Sequence, residues 1–324
     1  MTMHSQRIVQ LMQAPKRDVD WLVDAATAAV ELEMATIPPY LCARWSITDS
    51  GPALTRVREV VLAEMAHMGT VCNLLKGLGV SPDITGMAPR YPGPLPGGVR
   101  PELTIYLAGF SRDFLEKVMK AIEKPEEPLV EAALNKAFTS VGAFYLAIAE
   151  ALGDLKPKLD TAGQLVRPEI GISVLADAAT AADAMDRIRE QGEGTSASPQ
   201  FDGTTAHYYR FLEIDKGLEL LPTSDGKLHF SDVPVPFPAA LPMARVPPDG
   251  WANRDPDGQG TLQKFNDIYR RMLEGLKSAW SSGGQQALDD AVSLMRQLSS
   301  PARKLMHTPY QDGMNYGPDF FVAA

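Results

Sequence analysis

The chain has little cysteine. Cys42 and Cys72 are the only two in 324 residues, too few for a disulfide framework. Both fall in apolar helical patterns and read as buried thiols of a reducing cytoplasm. No apolar run reaches the 18 or so residues of a membrane span. The start, MTMHSQRIVQ, lacks the apolar core of a signal peptide. The net charge is −9 and no basic stripe carries interleaved aromatics, which argues against a nucleic-acid partner. A glycine-rich phosphate loop, a Gly-x-Ser-x-Gly turn and a cysteine pair with zinc spacing are all missing. Strand signals are scarce: GKLHF (226–230) could form one short strand, and no internal repeat has a fixed period.

What is present is helical. The hydrophobic fraction is 45% and the charged fraction 22%, a globular balance in a chain long enough for one large domain or two ordinary ones. Residues 18–37 recur apolar at helical spacing and are rich in Ala, Leu, Glu and Met. Pro38 and Pro39 are expected to kink or break this first helix, because proline lacks the amide donor and crowds the preceding turn, and YLCARWSI could continue it past a kink. Residues 52–78 form a second helix, with Pro52 in its first turn and glycine near its end. A Pro- and Gly-rich connection (80–108) and a short helix (about 112–123) follow. The third bundle helix is expected at 129–155. The fourth opens at 178–194, meets the polar loop TSASPQFDGTT and resumes at 206–214. Residues 222–259 read as a surface wrap, and two helices (about 261–280 and 285–308) close the chain.

Glu64 and His67, in EMAHMG, lie three residues apart and so share a helix face. Met65, Met68, Val71, Leu74 and Leu75 surround them with apolar neighbours. A buried carboxylate without a partner loses, roughly, several kcal/mol of solvation. A divalent ion offsets that loss and holds the imidazole neutral. Four-helix carboxylate proteins use Glu-x-x-His pairs in this way. On the first helix Glu31 and Glu33 are about 200° apart, so at most one faces the same core. Glu193 and His207 are wrongly spaced for one continuous helix, but the spacing works if 194–205 bulge out as a loop.

The segments ELEMATIPPYLCARWSI, EMAHMGTVCNLLKGLG, REQGEGT and AHYYRFLEI, in that order, resemble the ferritin-like family named for the iminophenyl-pyruvate dimer synthase domain. The resemblance covers about residues 18–215 and extends loosely through FNDIYRRMLEGL and YGPDFF. It implies an all-α, ferritin-like four-helix bundle with an interrupted fourth helix (1–221). A loop wrap and two C-terminal helices (222–324) would pack on it. It implies metal-site positions at Glu33, Glu64, His67, Glu193 and His207. Where relatives typically show Gly-Glu-Phe-Tyr, this chain reads GAFY, with Ala143 in the carboxylate's place. Glu150 is on nearly the same face but about 10 Å further along the axis. One metal is therefore expected near Glu33, Glu64 and His67. The second position is left to Glu193 and His207 with water or a substrate carboxylate. Oxygen and imidazole ligands suit iron or manganese, with zinc allowed.

The function implied is a metal-dependent redox enzyme acting on a small imine or keto acid, possible as a homodimer, with no separate acid or base. Ala143 favours the rival reading, a degenerate bundle that binds a small molecule or a protein without catalysis. An iron-storage shell fits poorly, since storage cages use much shorter chains. Tyr145 and Tyr208 read as core tyrosines, Arg210 as a partner of a site carboxylate or of a surface acid, and Asp24 and Glu31 as solvated. His229 and His307 receive no role.

Overall fold

The computed structural model describes residues 6–125, 140–192, 200–201, 204–223, 228–251, 256–257 and 259–322. A short helix α1 (Arg7–Met12) leads into α2 (Val19–Ser46), which Asp18 caps by accepting from the Trp21 amide at 3.0 Å. Helix α3 (Pro52–Gly77) packs along α2. The connection after α3 holds one two-residue strand pair, β1 (Gly93–Pro94) with β2 (Thr104–Ile105). Next, α4 (Arg112–Phe114) passes through a π turn (Leu115–Met119) into α5 (Lys120–Glu123). Helices α6 (Val141–Leu155) and α7 (Ala178–Gly192) form a second packed pair. Strands β3 (Gln200–Phe201) and β4 (Thr204–Thr205) precede α8 (His207–Lys216). The bundle is thus α2, α3, α6 and a fourth rod split into α7 and α8.

Helix α2 does not break at Pro38 and Pro39 but continues through YLCARWSI to Ser46. Pro39 has no N–H to give the carbonyl of Ala35 four residues earlier. That carbonyl accepts instead from the Tyr91 hydroxyl at 2.7 Å. A side chain from the irregular connection thus makes the hydrogen bond that the prolines remove.

The third bundle helix also differs in its start. Ser140 caps α6, its hydroxyl accepting from the Ala143 amide at 2.9 Å, so the helix begins at Val141. The expected stretch 129–139 lies outside the described residues. The split fourth rod is anchored by a buried ion pair from Arg56 on α3 to Glu213 on α8. Glu213 also accepts the Leu220 amide at 2.6 Å, tying β5 (Leu218–Pro222) to the same point. Strand β5 pairs antiparallel with β6 (Leu228–Pro234), so the one expected strand is half of a hairpin.

The C-terminal residues wrap the α2–α3 side. The Leu241 amide donates to the Ser46 carbonyl at 2.8 Å, and Trp45 stacks on Phe320. Helix α9 (Thr261–Ser278) runs through a π turn (Ala279–Gly283) into α10 (Gly284–Gln297). The helix expected to reach 308 instead divides at Leu298, and α11 (Ser299–Met306) carries Pro301 in its first turn, where no amide donor is needed. Asn73 on α3 joins these parts. Its amide donates to the carbonyls of Leu165 and Ser173 at 2.8 and 2.9 Å, while its oxygen accepts from Leu165 N and Trp280 Nε1, both at 2.9 Å. A buried amide satisfied at this many points fixes the positions of the loop and the helices around it.

Candidate metal centre

Between the two helix pairs the interior is charged. Glu33, Glu64, His67, Glu123 and His207 are each 3 to 5% exposed. They arrive on four elements: Glu33 on α2, Glu64 and His67 on α3, Glu123 at the end of α5, and His207 at the start of α8. Their ligand atoms form two overlapping groups, Glu33–Glu64–His67 and Glu64–Glu123–His207, within each of which all atoms lie inside 4.8 Å of one another. Glu64 belongs to both, the arrangement of a carboxylate bridging two cations.

Glu123 is not among the ligands expected from the sequence. It supplies a carboxylate where the GAFY segment has none, and it comes from the short helix before α6. One signal was available: an acid in the last turn of a helix, just before Lys124-Pro125, opposes the helix dipole and needs a compensating partner. Ala143 is not part of the cavity wall, which α6 forms with Val141, Gly142 and Tyr145. Glu150 points elsewhere and pairs with Arg17 at 3.1 Å. Glu193 lies outside the described residues; Gly192 before it lines the cavity.

The carboxylates are held by phenols and a hydroxyl. Tyr145 donates to Glu33, and Tyr40 donates to Glu123 at 2.5 Å. Burial and then the adjacent carboxylates hold both phenols well above their ordinary range, so they remain donors. Thr36 Oγ1 lies 2.6 Å from Glu64 Oε2 and 2.9 Å from the Glu33 carbonyl, and its one proton serves one of them at a time. Tyr145 is therefore a core tyrosine with a satisfied hydroxyl, as expected, but its partner belongs to the charged cluster.

The imidazoles are oriented toward the carboxylates. Gln191 Oε1 sits 3.0 Å from His67 Nε2 and fixes the N–H there. That leaves Nδ1 facing Glu33 Oε2 at 3.5 Å and Glu64 Oε1 at 3.7 Å. His207 Nδ1 lies 2.8 Å from Glu64 Oε1 and 3.8 Å from Glu123 Oε2. The near oxygen is off the direction of the ring N–H, so this nitrogen is buried with no hydrogen-bond partner. The two rings stack at 5.5 Å. Burial disfavours charge on both rings, yet the carboxylates prevail: His67 is raised, and His207 is pushed up to about 10. Without metal, protons on the imidazoles balance the glutamates.

These features fit a metal. The orphaned Nδ1 of His207, the shared Glu64 and a donor set of three carboxylates and two imidazoles suit a divalent cation. The cavity between them has about 30 Å³ of room, against roughly 10–15 Å³ for one water. Arg189 lies on its wall beside Leu32, Ile122 and Ile188.

Other expected side chains lie apart. Arg210 pairs with Glu59 and donates to the Thr205 carbonyl at 2.9 Å, so its partner is not a site carboxylate. Tyr208 meets Tyr209 edge-on. Asp24 binds Arg7 at 2.7 Å, and Glu31 lies 3.8 Å from the same guanidinium. Cys42 and Cys72 are free thiols, buried and raised by that burial. Among the described residues no helix is long and apolar enough to cross a membrane.

A helical bundle with inward carboxylates and imidazoles at overlapping ligand positions defines a class of metal-binding architecture. The family model described as Ferritin-like matches residues 27–216, and the chain belongs to that family. A solved structure, a ferritin-like protein from Caulobacter vibrioides, matches with a TM-score of 0.66 at 20% identity, covering 95% of this chain and 99% of that one. At that identity it shows the shared fold. No curated protein matches the chain.

Proposed function

We propose that this protein is a metal-dependent enzyme in which Glu33, Glu64, His67, Glu123 and His207 would hold up to two ions of iron or manganese. Its substrate would be a small amino-acid-derived imine or keto acid, in the manner of the iminophenyl-pyruvate dimer synthase type. The observation that carries the metal reading is the sharing of Glu64 by two buried ligand groups, in one of which His207 Nδ1 lies 2.8 Å from Glu64 without an aligned hydrogen bond. The substrate class rests on the motif resemblance. The rival, non-catalytic reading drew on Ala143, and Glu123 offsets that loss.

A bound metal of this kind supplies Lewis-acid polarisation or one-electron chemistry. The chain's own residues do the rest. Tyr145 and Tyr40, kept protonated, hold Glu33 and Glu123 in fixed orientations. Gln191 holds the His67 ring so that Nδ1 faces inward. Leu32, Ile122 and Ile188 keep bulk water from the cavity, and Arg189 on the same wall is itself paired with Glu190 at 2.8 Å and Asp186 at 3.3 Å.

Elemental analysis of protein purified without chelators tests the metal reading. Two equivalents of iron or manganese are expected. A protein that carries none, and takes up neither ion at micromolar concentration, overturns it. Incubating the loaded protein with imines of aromatic keto acids, and following products by mass spectrometry, tests the substrate class separately. Metal without turnover would refute the substrate and leave the centre standing.

A further inference from the structure

On the opposite side of α2 and α3 a second and larger cavity opens, about 520 Å³, bounded also by α10, the π turn after α9 and the loop at 167–172. Its size falls within the range of small-molecule sites. One stripe of α3 faces it, Arg58, Val61, Met65 and Met68, spaced at helical intervals. From α2 come Leu41, Arg44 and Trp45, and from beyond the bundle Trp280 and Met295. The wall is mostly apolar, and methionines make it adaptable. A narrower apolar cleft, lined in part by the same Met65, Met68 and Met295, continues beside it.

The polar part of this cavity is one-signed. Arg44, Arg58, Arg167 and Arg296 line it, with Glu169 as the only acid. Arg167 is neutralised, by Glu169 at 2.9 Å and by Asp289. For Arg44, Arg58 and Arg296, no carboxylate among the described residues forms an ion pair. Arg44 is half-buried, and burial followed by repulsion from Arg58 pulls its guanidinium below the ordinary range. The last turns of α2 and α10 favour cations, which accounts for Arg44 and Arg296 locally. Arg58, early in α3, has no such reason. Three uncompensated guanidiniums facing one apolar cavity are unexpected in a chain of net charge −9.

We infer that this cavity is a binding site for an amphipathic carboxylate, whose headgroup sits among Arg44, Arg58 and Arg296 and whose apolar body lies along Trp45, Met65, Met68 and Trp280. A carboxylate there relieves the repulsion between guanidiniums and takes up their forked donors. The apolar body covers the part-exposed side chains of Leu62, Met65, Val292 and Met295 on the same wall. The site is separate from the metal centre and does not depend on it.

Decanoate, 1-decanol and decyltrimethylammonium, equal in chain length, test the assignment. Trp45 and Trp280 line the cavity, so intrinsic fluorescence reads occupancy, and calorimetry gives the affinity. Decanoate is expected to bind about tenfold or more tighter than decanol, with the cation weakest. Arg58→Gln, at an exposed position, should weaken decanoate about tenfold and leave decanol unchanged, and Arg44→Gln should do the same. Trp280→Phe should remove much of the fluorescence change. Glu64→Ala should leave decanoate binding intact. Equal affinity for decanoate and decanol, no effect of either arginine substitution, loss of binding in Glu64→Ala, or no binding at millimolar decanoate would each overturn the assignment.

Discussion

Helices α2 and α3 present two opposite interiors from adjacent residues. Glu33, Glu64 and His67 face the charged centre, while Met34, Met65 and Met68, each the next residue along, face the apolar clefts under the C-terminal helices. Neighbours on a helix differ by about 100° in direction, so one short motif serves both sides. The two sides treat charge differently. Inside the centre every carboxylate has a phenol, a hydroxyl or an imidazole within reach, and water is nearly excluded. On the outer side Arg167 is paired, but Arg44, Arg58 and Arg296 have no ion-pair partner among the described residues and stay near solvent. Buried charge thus persists here only where opposite charge and donors have been assembled around it.

The largest expected effect breaks that contrast from the inner side. Glu64→Ala removes the one ligand common to both groups, so both metals should be lost, with affinity down by at least about a hundredfold. Glu33→Ala and Glu123→Ala should each remove about one equivalent. Metal counting on the purified variants checks this, and retention of both ions in Glu64→Ala would contradict the shared-ligand arrangement. Acidity should act next most strongly. In the metal-free protein the nearby carboxylates outweigh burial and raise His207 from its ordinary 6.5 to about 10. The stabilisation from its protonated pairing is complete below about 6.5 and is lost as pH rises to about 10. Metal must displace that proton, so metal affinity should climb with pH across this window, by up to about tenfold per unit. Metal titrations at several pH values, with proton release measured, give the answer; a flat profile would refute it.

The core of this arrangement was legible in the sequence, and its gaps have physical causes. EMAHMG announced itself because a Glu-x-x-His pair lay in an apolar stripe; helical periodicity placed the separate helices, and the family resemblance implied the bundle with its interrupted fourth helix. Glu123 was hidden because its helix brings no second ligand and so has no spacing to read. The sequence allowed α2 to continue through YLCARWSI, but what sustains it there was hidden for a different reason. The rule that proline breaks a helix is local, whereas the Tyr91 hydroxyl that satisfies Ala35 comes from 56 residues away. The hairpin of β5 and β6 was half visible, because LELLP sits directly after a helix and carries no alternating pattern of its own.

A smaller effect should separate the two sides. Met68 is 6% exposed and faces the outer clefts, whereas His67 beside it faces the centre. Met68→Ala leaves a void and should cost about 2–5 kcal/mol of stability. Metal stoichiometry should not change. Denaturant unfolding alongside metal analysis would show it, and loss of metal in this variant would mean that the two sides are not independent.

The smallest effect concerns the segment where the two sides meet. Pro38 faces the outer cleft, and Tyr40, two residues on, donates to Glu123 in the centre. One turn before them the Ala35 carbonyl depends on Tyr91 for its hydrogen bond. Tyr91→Phe keeps the ring and removes only the donor, leaving a buried carbonyl unsatisfied, which should cost about 1–3 kcal/mol. If the hydroxyl only satisfies that carbonyl, stability falls and metal affinity stays unchanged. If it also holds the helix so that Tyr40 reaches Glu123, the second metal weakens while the one at Glu33, Glu64 and His67 holds. Unfolding curves read together with stepwise metal titration distinguish the two. The first outcome is expected, since Thr36 and Tyr145 anchor this helix to the centre independently of Tyr91.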